Sequence, residues 1–433
     1  MADLHVKNTG SATSPFDTFA KAAATLGGVT GALAGDRYLI SSAHLETPAT
    51  VNITFPGTPS NPNQILGGTE AGASGLSALA TGSKTVVSGT TCNVNGSFYM
   101  DSHTWEFSST SSYTPAFAGQ AGNVQKFKSC PFRFTGAAGS PAISFGSGSA
   151  GAGTYVQLID SWFKGASANF YVAINRKVDI NGGGWEAGGT NPTSMFYLGY
   201  GTREAELNIR GFDASAVGTS TNIIGTVSEG GNSARIRGMK LPAGWTGNLV
   251  AAGQMKAGTR VEMFDYQIGT TLRKVWIEDG ISGSIKDETT IKLAADYSCK
   301  VVTTANVKYP ASALELPGYR VKLTAGVAKT ITLNTLTDNV TLTNADAWLE
   351  AEIFSTAGSN AIATSSSQPA DVLTAPANLT TNAAAWTTTG LATPVKQQIS
   401  ITITPQQDGY AHIRPRLAKP STTVYFDNTV TVA

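Results

Sequence analysis

From about residue 35 to residue 300, short apolar runs alternate with Gly, Ser, Asn or Pro. Several runs share one signature of apolar, polar, apolar and any residue, closed by Gly, Asp or Asn. They are Val156-Gln-Leu158-Ile-Asp160, Val178-Asp-Ile180-Asn181-Gly182, Leu207-Asn-Ile209-Arg-Gly211, Ala234-Arg-Ile236-Arg-Gly238 and Val261-Glu-Met263-Phe-Asp265. Their central apolar positions, 158, 180, 209, 236 and 263, are 22 to 29 residues apart. Strict alternation marks a strand with one buried face, and a fixed period of this size marks a solenoid. Three short strands and three turns make one coil. No coil buries its apolar face alone, so stacked neighbours supply the core. Glycine allows the sharp corners.

Two other textures flank this region. Ser14-Pro15-Phe16-Asp17 opens a segment with an N-cap serine, proline at the first helical position and an acid in the first turn, and Gly27-Gly28 closes it. Phe16, Phe19, Ala20, Ala23 and Leu26 fall on one face, so the pattern predicts an amphipathic helix over 14–26 that caps the open end of the coils. Beyond residue 300 the strands lengthen: Tyr319–Leu323, Lys329–Leu333, Val340–Leu342, Leu349–Ile353, Gln398–Ile403, His412–Leu417 and Val424–Phe426. Half-buried strands at this density predict an antiparallel β-sandwich or jelly roll. Asp408-Gly409 marks a turn, and 364–390 reads as a long surface loop. The expected organisation is an arm and cap helix at 1–34, coils at 35–300, a linker at 301–318 and a sandwich at 319–433.

Composition narrows the function classes. Only 14% of the 433 residues are charged, against about 25% in an ordinary soluble domain. Lys+Arg 30 against Asp+Glu 29 gives a formal net charge of +1, without the basic excess of a nucleic-acid binder. No apolar run reaches the roughly 18 residues of a membrane span. Met1-Ala-Asp-Leu-His-Val6 does not read as a secretory signal. Cys92, Cys130 and Cys299 lack paired spacing, so three buried, reduced thiols are expected rather than disulfides or a zinc site. His5, His44, His103 and His412 are scattered, and no metal or cofactor site is expected.

The opening, Gly10 to Ala22 with Phe16, Phe19 and Ala20, followed by Ala34-Gly35-Asp36-Arg37-Tyr38-Leu39-Ile40, resembles the cap and first coil of pectate-lyase-like right-handed parallel β-helix proteins. The stretch from Leu417 to Asp427 resembles the closing strands of β-sandwich domains on virion proteins of tailed bacteriophages. Together they resemble a tailed-phage virion surface protein, of tailspike or of head decoration or fibre type. The resemblance implies an all-β fold: a right-handed β-helix with an N-terminal cap helix, then a sandwich. It also implies a homotrimer attached to other virion proteins, folded in the host cytoplasm and exposed on the virion surface. A short arm, Ala2 to Thr13, leans toward the capsid or toward attachment through the sandwich.

Many such proteins cleave surface polysaccharide with two carboxylates about 5–9.5 Å apart. The candidates here are Glu186, Glu204, Glu206, Asp213, Glu262, Asp265, Glu278 and Asp279. Glu204 and Glu206 share one strand face, and a neighbouring coil lies about 4.8 Å away. Arg203, Arg210, Arg235 and Arg237 surround them, which points instead to surface ion pairs. No Asp-rich calcium cluster and no G-x-S-x-G elbow occur, and Asn181-Gly182-Gly183-Gly184 precedes no phosphate-binding helix. Trp162, Phe163, Trp185, Phe196, Tyr197, Phe212 and Trp276 are core or interface residues, or else stacking platforms for sugar rings, with Trp185 expected to be the most exposed. The reading is a non-enzymatic structural protein with no catalytic residue assigned. A host-glycan hydrolase or glycan-binding protein is the alternative.

Overall fold

The computed structural model describes residues 1–111, 114–118, 120–136, 141–146, 154–199, 205–228, 231–281, 283–293, 297–304, 319–355, 373–374, 378–405 and 408–433. These residues are all-β, with large parallel sheets and no α-helix. The chain divides into two compact units, Met1–Arg273 and Lys274–Ala433.

In the first unit the chain passes in rotation through three parallel ladders. The first joins Asp3–Val6, Arg37–Ser41, Asn63–Ala71, Phe98–Asp101, Val124–Lys128, Tyr155–Ile159, Lys177–Asn181, Glu206–Arg210, Ser233–Arg237 and Arg260–Ile268. The second runs from Leu45–Glu46 through Ser83–Val87, His103–Phe107, Phe132–Phe134 and Trp162–Lys164 to Gly184–Trp185. The third runs from Thr50–Thr54 through Thr91–Asn95, Ala116–Phe117, Ala142–Phe145, Tyr171–Ile174 and Ser194–Leu198 to Asn222–Val227. Leu158, Ile180, Ile209, Ile236 and Met263, the five positions singled out by their spacing, are register partners in succession. All five are buried.

Phenylalanines dominate the early coils. Phe127 meets Phe132 edge to face at 5.3 Å between ring centroids, and Phe132 stacks on Phe163 at 5.7 Å. Phe117 and Phe145 complete the cluster, at 5.4 and 5.5 Å from Phe132. Burying each such side chain stabilises by about 1.5–3 kcal/mol, and offset or edge contacts between rings add to that.

The cap helix expected over 14–26 is absent. Ser14–Pro15 is a cis peptide and Phe16 sits at φ 57°, outside the right-handed helical region. Only Leu26–Gly28 forms a turn of 3₁₀ helix. The reason is competition for backbone groups. Phe16 O accepts from His5 N, Ala23 N donates to His5 O, and Lys7 N donates to Ala23 O, each at 2.9 Å. Pairing with the first strand satisfies the groups that an isolated helix would have bonded internally. Phe16, Phe19, Ala23 and Leu26 are still buried, but Ala20 is exposed and Ala22 takes its place. The apolar stripe thus covers the core as an irregular segment.

The second unit is antiparallel. Gly283–Glu288, Ser298–Thr303, Thr423–Asp427, Lys329–Asp338, Pro394–Ile403 and Asn378–Thr381 pair in that order. A second sheet joins Tyr319–Leu323, Gly409–Leu417, Ala347–Ser355 and Leu373–Thr374. Two expectations fail here. Val340–Leu342 is not a strand. The supposed loop at 364–390 contributes the strand Asn378–Thr381 and the buried Trp386, which packs with Ile291, Leu336 and Tyr425. Of the expected linker, Val301–Thr303 complete a strand, whereas 305–318 lie outside the described residues. The three cysteines are free and buried, and burial pushes each thiol up to about 12.

Candidate functional site

Alternation along the first ladder sends every second side chain outward, and register stacks these into columns. One column is Lys177, Glu206, Ser233 and Arg260; the next is Asp179, Asn208, Arg235 and Glu262; the third is Asn181, Arg210, Arg237 and Phe264. The first two columns are internally neutralised. Lys177 Nζ lies 3.0 Å from Glu206 Oε1, and Glu262 accepts from Arg260 Nε at 2.6 Å and Arg235 Nε at 3.0 Å. The Asn208 amide donates to both Asp179 Oδ1 and Glu206 Oε1 at 2.9 Å. Tyr155 donates to Asp179 Oδ2 at 2.7 Å.

The third column differs. Among the described residues, neither Arg210 nor Arg237 has a carboxylate within ion-pair distance, and the Arg237 guanidinium lies 5.4 Å above the Phe264 ring. Two shallow depressions follow the columns. One of about 260 Å³ is lined by Glu206, Asn208, Arg235, Arg260 and Glu262 with their neighbours. The other, of about 440 Å³, is lined by Asn208, Ile209, Arg210, Arg235 and Arg237.

The candidate acids fall as follows. Hydrogen bonds from Asn208 and Lys177 hold the Glu206 carboxyl below its ordinary range, so it stays ionised. A general acid for glycoside cleavage needs the opposite shift. Glu186 is clamped by Arg133, with Nε to Oε2 at 2.9 Å and Nη2 to Oε1 at 2.8 Å. Asp213 accepts from the hydroxyl of Ser215 at 2.6 Å, and Asp265 is exposed at φ 48° within the strand Arg260–Ile268. Asp279 accepts from Ile281 N at 2.8 Å, closing a turn. Burial pushes Glu278 up against the bond it accepts from Trp276 Nε1 at 2.7 Å. Glu204 and Arg203 lie outside the described residues. Ion pairs are present at Glu186, Glu206 and Glu262, but Glu186 uses Arg133, Glu206 uses Lys177 and Glu262 uses Arg260 beside Arg235, while Arg210 and Arg237 stand aside.

The aromatic candidates are mostly interior. Phe163, Phe196 and Phe212 are fully buried, and Trp276 is 6% exposed. Trp185, expected to be the most accessible, is 3% exposed. Its N–H donates to Asp213 O at 2.8 Å, and its ring packs 5.4 Å from Phe170. Trp162 and Tyr197 are half-buried, and Tyr197 stacks on Tyr171 at 3.8 Å.

A second polar cluster has no signal in the sequence. Inside the coils, Thr85 Oγ1 donates to Glu46 Oε1 at 2.6 Å and lies 3.0 Å from His103 Nε2. Ser83 Oγ lies 3.0 Å from His103 Nδ1, and Leu26 N donates to Glu46 Oε2 at 2.8 Å. His44 Nε2 is 3.6 Å from Glu46 Oε2. All five side chains are buried. His44 and Glu46 lie about one coil from Ser83 and Thr85, so only the strand register brings them together. Among the described residues no group of three or more His, Cys, Asp or Glu could hold a metal ion.

No protein-family model matches the sequence, and no curated protein matches it. Among solved structures, the chain is similar to the enzymatically active domain of tailspike protein 4 of bacteriophage CBA120. The identity is 9% and the TM-score 0.21, over 92% of this chain and 64% of that one. It is also similar to tailspike protein gp49 of Acinetobacter baumannii bacteriophage Fri1, a capsular polysaccharide depolymerase. Here the identity is 12% and the TM-score 0.21, over 91% of this chain and 71% of that one. The chain thus spans less than two thirds of the first of these proteins. At that TM-score neither likeness carries an argument about activity.

Proposed function

We propose that this chain is a structural protein on the surface of a tailed-bacteriophage particle, acting through self-association and attachment to the virion. In this reading the first unit is a right-handed parallel β-helix that forms a stiff shaft, and residues 319–433 form a β-sandwich that offers a contact surface. Association as a homotrimer along the shafts would bury surface that one chain leaves in solvent. The observation that supports the reading best is the unbroken register of the first ladder from Asp3 to Arg260. Every strand is hydrogen-bonded to its neighbours, and the inward residues form one continuous core, as a rigid extended support requires. The cap helix that carried part of the family resemblance is absent, so the reading leans on the coils and the closing strands.

Immunogold labelling of virions carrying the gene, with antibody raised to the purified chain, tests this directly. Dense labelling of the shell would mean decoration, and labelling at the tail a spike or fibre. Unlabelled particles would overturn the assignment.

The alternative is a tailspike hydrolase or glycan-binding protein. It draws on Asp179 and Glu206, which share the Asn208 amide and so bring two carboxylates together on the coil face. That reading requires purified protein to release oligosaccharide from host envelope polysaccharide, and Glu206→Gln to stop the release. Non-enzymatic action requires that no oligosaccharide appear with either protein.

A further inference from the structure

We propose that Arg210, Arg235 and Arg237 form a binding site for a single oxyanion group, a carboxylate, sulfate or phosphate, either free or carried on a sugar. The proposal does not depend on the virion reading. It starts from a charge imbalance on one sheet face. Arg210 and Arg237 are register partners on adjacent parallel strands, which places their Cα atoms about 4.8 Å apart. Like charges directly opposite each other on a sheet are destabilising. In the two neighbouring columns this chain resolves the same problem with acids, pairing Lys177 with Glu206 and Arg235 and Arg260 with Glu262. No acid serves Arg210 or Arg237 among the described residues.

The surroundings complete a receptor for a small anion. The two arginines border a depression of about 440 Å³ whose rim also carries Arg235 and Asn208 and whose floor is the strand at the buried Ile209. Arg237 is held over the Phe264 ring, a stacking contact that orients a guanidinium without consuming its N–H donors. Arg235 commits its Nε to Glu262, which fixes that side chain at the edge of the depression. Planar guanidinium forks match carboxylate, sulfate and phosphate oxygens bidentately, whereas a neutral hydroxyl gains little from them. The net charge of the whole chain is only +1, so attraction at this site would be local rather than a property of the overall field.

Calorimetric titration of the full chain at low ionic strength with sodium sulfate, glucuronate and glucose tests the site. Sulfate should bind and glucose should not. Glucuronate binding as well would identify a sugar-borne carboxylate, and sulfate binding alone a free oxyanion. Arg210→Gln and Arg237→Gln should each weaken binding at least tenfold, and Arg237→Lys, which keeps the charge but loses the fork, should also weaken it. Lys126→Gln, elsewhere on the same sheet face, should leave binding unchanged. In anion-free buffer Arg210→Gln should melt no lower than the parent, because it removes an uncompensated repulsion. Absence of binding by both anions, or binding that survives both Gln substitutions, would overturn the proposal.

Discussion

The hydroxyl of Thr85 lies 3.0 Å from Nε2 of His103, and the same hydroxyl donates to Glu46 at 2.6 Å. An ionised carboxylate can only accept, so the Thr85 proton points at Glu46 and its oxygen must accept from His103. Nε2 of His103 therefore carries the hydrogen, while Ser83 Oγ lies 3.0 Å from Nδ1 and 3.1 Å from the Ser102 carbonyl oxygen, two acceptors that compete for its one proton. Burial keeps the imidazole neutral.

A pH dependence follows. Burial drives His103 down to about 3, with His44 adding to the effect and the Glu46 charge opposing it. The unfolded chain takes up this proton near the ordinary 6.5, whereas the folded chain resists it, so stability falls as pH drops from about 6.5 toward 3. Glu46 behaves differently: burial would raise it, but the nearby His44 and the bonds from Thr85 and Leu26 N together hold it below its usual value. Its contribution is present above about 4.5 and lost as pH falls further. Denaturant midpoints should therefore decline between pH 6.5 and 4.5. His103→Gln should flatten that part of the curve and leave the steeper loss below 4.5. An unchanged slope in the variant would contradict the assignment.

Gly183 should not tolerate a side chain. It sits at φ +69°, and a Cβ there would lie 1.9 Å from the carbonyl oxygen of Ser161 on the preceding coil. Left-handed strain alone costs about 1–3 kcal/mol in a residue other than glycine, and the backbone clash adds to it. Gly183→Ala should lower the chemical-denaturation midpoint by more than Gly211→Ala, which has a similar φ of +67° but open space around it.

Truncating Phe127 should be costly. It is fully buried and touches Phe98, Phe117, Phe132 and Phe145. Phe127→Ala should cost about 3–5 kcal/mol in equilibrium unfolding of the unit that contains it. A loss below about 1 kcal/mol would mean that the aromatic column is not a packed core.

What was legible in the sequence was the periodic part. Leu158, Ile180, Ile209, Ile236 and Met263 announce their stacking because each coil repeats the same alternation, and alternation decides which face is buried. The segment at 14–26 was misread because its capping signals are local, whereas its carbonyls and amides are claimed by His5 and Lys7. Trp185 was misread for a related reason. Three preceding glycines suggest a loose loop, yet Gly183 uses its freedom to press the chain against Ser161. The His44–Glu46–Thr85–His103 cluster and the unpaired Arg210–Arg237 step depend on which residues face each other across coils. That register emerges only once the strands are aligned.

The winding itself is open to one direct measurement. Lys126 and Gln157 are outward register partners on consecutive coils, with Cα atoms about 4.8 Å apart, inside the range a disulfide can bridge. Lys126 and Asp179 lie two coils apart in the same column, about twice that distance. Under mild oxidation the pair Lys126→Cys and Gln157→Cys should close an intramolecular disulfide, detected by mass spectrometry of the digested chain, while Lys126→Cys with Asp179→Cys should stay reduced. Failure of the first pair to close, or equal closure of both, would contradict the stacked parallel coils on which the account rests.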